Sequence, residues 1–81
     1  MSRKEDLLGR IVVDKGVVAG KPVIKGTRVP VDAIIERLAD GQTFNEILED
    51  YPNIGMEDIK AALEYAADLV RGEDVIPEIT G

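Results

Sequence analysis

Twelve residues, Gly20 to Val31, reading GKPVIKGTRVPV, constrain this chain more than any other stretch. Pro22 and Pro30 each fix a backbone angle and remove a donor, while Gly20 and Gly26 permit angles that other residues resist. Apolar pairs stand between them, so the segment predicts a shaped β-turn element that leads directly into a helix. Lys21, Lys25 and Arg28 also gather here, which makes the same segment the first candidate binding surface.

Upstream, Ser2 followed by Glu5 fits a capping box for a short helix ending at Leu8. Ile11-Val12-Val13 then reads as a strand, Asp14-Lys15-Gly16 as a turn, and Val17-Val18 as an extended continuation. Val23-Ile24 and Arg28-Val29 are expected to supply a second strand, interrupted by a bulge or left-handed residue at Gly26. The outcome is a small β-hairpin or arm.

From Pro30 onward the period changes. Val31, Ile34, Ile35, Leu38 and Ala39 recur at helical spacing, Asp32 favours the positive helix start, and Gly41 is a stop signal. Thr43 and Glu46 form a second capping box, opening a helix from Phe44 to about Asp50 that Pro52 closes. A third helix is expected from Met56 to about Arg71, with Ile59, Ala62, Leu63, Ala66, Leu69 and Val70 as one continuous apolar stripe. The last residues, EDVIPEITG, alternate in character around Pro77 and predict an extended arm. The fold class is therefore mainly α with a small N-terminal β-hairpin, a single domain made of a basic β-arm (1–30), a three-helix, homeodomain-like helix-turn-helix bundle (31–71) and an extended tail (72–81).

A chain of 81 residues buries only about 60 to 70 % of its unfolded surface, so a homodimer or another partner is expected to complete it. The net charge of -6 divides unevenly. Residues 1–30 carry seven cations against three anions, and residues 31–81 carry three cations against thirteen acids, a pattern expected to give the molecule a positive and a negative end. No apolar run is long enough to span a membrane, and the amino end continues into charge, so the expected location is the cytoplasm.

The absence of cysteine and histidine removes thiolate ligands, disulfides and the commonest general base. Gly16 to Lys21, reading GVVAGK, fails as a phosphate loop because its glycines are one residue too close and Pro22 stands where a hydroxyl residue is required. Glu46, Glu49 and Asp50, Glu57 with Asp58, and Glu64 with Asp68 supply carboxylate pairs that could hold magnesium, but they fit a solvated helix face in an acidic chain. No enzyme, metal or cofactor is expected. If nucleic acid is bound, the arm must do it, with Lys21, Lys25 and Arg28 on phosphates and Thr27 assisting, because Glu57, Asp58, Glu64 and Asp68 make the third helix repel DNA. The competing role for Arg28 is an ion pair or carbonyl contact that pins the arm to the helices. Tyr51 and Tyr65 suit either a half-buried core position or an interface. Val75, Ile76 and Ile79 in the tail, with Tyr65, are the expected partner-binding residues.

The motif GKPVIKGTRVPV, followed by an apolar helix and then DGQTFNEILEDYPNIGMEDIKAALEYAADL, resembles the bacterial and archaeal family known as domain of unknown function 433, over about Arg10 to Leu69. Gly55 departs from the pattern, standing where the family usually has a threonine or serine helix cap. The family is similar to antitoxins of type II toxin-antitoxin operons. The resemblance implies a dimeric, helix-turn-helix-like regulator that pairs with a PIN-like ribonuclease and binds its own promoter DNA; the alternative is a general protein-interaction module without DNA binding.

Overall fold

Local backbone chemistry sets the boundaries of nearly every element in the computed structural model, which describes residues 3–13, 16 and 20–72. The order is α1 (Arg3–Leu8), β1 (Ile11–Val13), β2 (Pro22–Ile24), α2 (Val31–Ala39), α3 (Phe44–Asp50) and α4 (Met56–Arg71). The molecule is thus mainly helical with a two-stranded antiparallel hairpin, and it has four helices among the described residues instead of a three-helix bundle. The fourth is α1, the short N-terminal helix ending at Leu8, which packs along α4 and buries Leu7.

The hairpin pairs Ile11 with Ile24, Val12 with Val23 and Val13 with Pro22. Its second strand stops at Ile24 and does not resume at Arg28-Val29, contrary to expectation. Thr27 provides the reason. Its hydroxyl donates to the Ile24 carbonyl at 2.7 Å and accepts from the Val29 amide at 3.0 Å, while the Thr27 amide also reaches the Ile24 carbonyl at 3.0 Å. These local bonds satisfy backbone groups that a longer ladder would otherwise use. Gly26, at φ +80°, makes the reversal possible without a Cβ clash, and the Ile24 amide closes the turn on the Val29 carbonyl at 3.0 Å.

Helix α2 starts immediately after Pro30, whose extended backbone places it one residue before the first helical position. Arg37 and Leu38 carbonyls are capped by the amides of Gln42 and Gly41. The Thr43 capping box of α3 is complete: the Thr43 hydroxyl accepts from the Glu46 amide at 3.1 Å, and the Glu46 carboxylate accepts from the Thr43 amide at 2.8 Å. At α4, Gly55 has no side chain to offer, and the reciprocal half of the box carries the cap alone, with Asp58 accepting from the Gly55 amide at 2.9 Å.

Ile24, Val29, Val31, Ile34, Ile47, Ile54, Ile59 and Ala62 form one core. It joins the hairpin to all three later helices. Tyr51 and Tyr65 are half-buried against it. The apolar stripe of α4 divides in two. Ile59 and Ala62 are buried as expected, whereas Leu63, Leu69 and Val70 are 40 %, 45 % and 88 % exposed. The buried side of the helix's second half is instead the Ala61 and Asp68 side, which α1 covers. No helix among the described residues is long and apolar enough to cross a membrane.

Candidate functional site

Opposite charges meet across the fold among the described residues. Lys4 lies 2.9 Å from Asp68, Arg10 lies 3.1 Å from Asp58, and Lys21 lies 3.3 Å from Asp32. Three cations from the first thirty residues therefore pair with acids of α2 and α4. Folding thus brings opposite signs together at three places, although the sequence places the cations and acids in different halves. The hydrogen bond from Lys4 is the main cause that lowers the Asp68 pKa below the ordinary carboxylate value; burial opposes it, and Arg71 reinforces it.

Lys21 is thus engaged at the surface by Asp32, and Thr27 spends its hydroxyl on the turn. Lys25 and Arg28 are exposed on either side of that turn, with no side-chain ion pair among the described residues. Arg28 consequently does not pin the arm to the helices. Bracing falls to Lys4 and Arg10, which sequence spacing alone did not single out: Arg10 and Asp58 are 48 positions apart.

The carboxylates considered for magnesium are dispersed among structural tasks. Glu46 caps α3, Asp50 pairs with Arg37, Glu57 pairs with Lys60 at 3.6 Å, and Glu64 receives Arg71 at 3.1 Å. No group of three or more potential metal-binding side chains gathers among the described residues. Arg37 is further held over the Tyr51 ring, 4.7 Å from its centre, and hydrogen-bonds Gln42, so it ties α2 to the end of α3.

An apolar groove of about 360 Å³ lies between α2 and α4. Ile35 and Ala39 line it from α2, Tyr65, Ala66 and Leu69 from α4, and Pro22 reaches it from the hairpin. Asp32, Ile35, Glu36 and Ala39 share one face of α2 because they recur at three- and four-residue spacing. The exposed Leu63 and Val70 flank Ala66 at the same spacing on α4, extending the apolar surface beyond the groove. Of the expected partner-binding residues, Tyr65 sits in this groove, while Val75, Ile76 and Ile79 lie outside the described residues. Sequence reasoning missed Ile35, Glu36 and Ala39 as surface features. The available signal was small Ala39 and Ala66, which leave space between facing helices.

The chain resembles other proteins over most of its length. A crystal structure of a DUF433 member protein from Anabaena variabilis ATCC 29413 has the same fold, with a TM-score of 0.73 and 30 % identity, covering 86 % of this chain and 69 % of that one. The uncharacterized protein y4eO of Sinorhizobium fredii is 39 % identical over 57 residues, 69 % of this chain but 26 % of that protein. An uncharacterized protein of Archaeoglobus fulgidus is 75 % identical over 24 residues, 30 % of this chain and 67 % of that protein. The chain therefore spans about a quarter of the Sinorhizobium relative. Residues 11–66 match the family model described as protein of unknown function (DUF433), and with more than half of its length matched the chain belongs to that family.

Proposed function

We propose that this protein is a non-enzymatic, antitoxin-like regulator that acts by binding another protein, a PIN-like ribonuclease, through the groove between α2 and α4 and the apolar surface beside it. The observation that carries the reading is the exposure of Leu63, Leu69 and Val70 along the second half of α4, next to a groove lined by apolar side chains. Adjacent exposed apolar residues on so small a domain mark a contact surface more often than isolated ones do. Away from the groove, Glu46 and Asp58 serve helix caps and Asp50 pairs with Arg37, which suits a binding role better than acid-base chemistry.

Co-expression with the product of the neighbouring gene tests this directly. A stable complex that survives purification is the expected result. Recovery of each protein alone would overturn it.

A second reading, autoregulatory DNA binding by a dimer, is favoured by one feature: Lys25 and Arg28 are held by a rigid turn, exposed and unpaired among the described residues. Replacing both with alanine is expected to weaken binding to the DNA upstream of the gene, and each lost phosphate contact should reduce the salt slope by about one. No binding by the unaltered protein at low salt would remove this role. Lys21 contributes less here because Asp32 neutralises it, and Thr27 contributes through the shape of the turn.

A further inference from the structure

We infer that the groove between α2 and α4 seats a cationic amphipathic helix supplied by the partner protein; this rests on the partner-binding reading above and names the chemistry of what binds. Two helices form the walls, and the small side chains of Ala39 and Ala66 let a third helix approach closely. Helix surfaces interlock through ridges and grooves, so an apolar stripe at three- and four-residue spacing is the matching shape. Ile35, Tyr65 and Leu69 supply the apolar contact.

Charge selects the occupant. Asp32 and Glu36 stand one turn apart on the α2 edge of the groove, both exposed. The Glu36 side chain has no hydrogen bond or ion pair among the described residues, and the Asp32 carboxylate holds only the exposed Lys21. Lysines or arginines beside the apolar stripe of an incoming helix would meet both carboxylates. A surface pair such as Lys21 with Asp32 exchanges partners at little cost.

The same argument disfavours the nearest alternatives. A second copy of this chain would bring its own net charge of -6 toward this acidic rim. Residues 73–81 carry Glu73, Asp74 and Glu78 and no cation, so their charge is also of the wrong sign. A neutral small molecule would leave both rim carboxylates unused.

The test is a nuclear magnetic resonance titration of the full chain with two synthetic helical peptides. Both carry one leucine and alanine stripe; the first has lysines beside the stripe, and the second has glutamate in place of every lysine. The lysine peptide is expected to shift the signals of Ile35, Ala39, Tyr65, Ala66 and Leu69. The glutamate peptide should bind about tenfold more weakly or worse, and Glu36→Lys should weaken the lysine peptide by a similar factor without altering the fold. Equal affinity for both peptides, shifts confined to other surfaces, or no shift with the lysine peptide would overturn the inference. Self-association that Leu69→Lys abolishes would overturn it in favour of a second copy. If the neighbouring gene's product is captured and Glu36→Lys leaves that complex intact, partner binding stands and the groove assignment falls. If the lysine peptide seats in the groove but that product is not captured, the groove assignment stands and the nuclease reading falls.

Discussion

The two halves of α4 share one helix but behave as different materials. From Met56 to Ala62 the helix inserts Ile59, Ala61 and Ala62 into the interior, and its start is fixed by the Asp58 cap and the Arg10 ion pair. From Leu63 to Arg71 the aliphatic side chains of Leu63, Leu69 and Val70 are exposed, and the buried position is a carboxylate, Asp68, clasped by Lys4 and Arg71. The first half is stabilised chiefly by removing hydrocarbon from water, while the second is braced by charge and keeps its hydrocarbon available. Amphipathicity alone does not tell whether the partner for an apolar face lies inside the chain or outside it.

Truncation separates the halves most sharply. Ile59→Ala should cost about 2 to 5 kcal/mol in urea unfolding, because a fully buried side chain leaves a cavity in close-packed surroundings. A cost below that of an ordinary surface substitution would contradict the division. The end of the exposed half has its own anchor, Gly72, which adopts φ +76° and donates to the Asp68 and Leu69 carbonyls. Gly72→Ala should lose roughly 1 to 2 kcal/mol, the cost of forcing a side chain into the left-handed region, again read from urea unfolding.

Acid titration examines the clasp. Asp68 has a lowered pKa in the folded chain, so its contribution is fully present above the ordinary carboxylate value and is lost as pH falls toward the lower folded value. Asp68→Asn should therefore reduce the loss of stability on the acid side, measured as the change in melting temperature between neutral and acidic pH. An unchanged acid limb would show that α1 is not held by this carboxylate. The smallest effect is expected at Val70, where replacement by serine should alter stability by no more than about 0.5 kcal/mol while weakening partner capture.

These differences track what was legible in the sequence. Helices α2, α3 and α4 were readable because Pro30, Gly41, the Thr43 and Glu46 box and Pro52 punctuate runs of helical period. The hairpin was readable up to Ile24. Beyond it, Val29 has the composition of a strand, yet Thr27 captures the local backbone groups first, and a propensity argument does not weigh that competition. Tyr65 was legible as a half-buried ring with an interface role available, but its companions Ile35 and Glu36 were not, because their exposure depends on how far apart two helices settle. The charge division was visible and its pairing was not: Lys4 and Arg10 reach acids that lie far along the chain and brace the fold, while Lys21 meets Asp32 at the surface.

The most direct test is a pair of measurements on Leu69→Lys: thermal unfolding of the isolated chain, and capture of the neighbouring gene's product on co-expression. Because Leu69 is already partly in water, the account predicts a nearly unchanged melting temperature together with loss of the complex. Full capture by a variant that folds normally would contradict it.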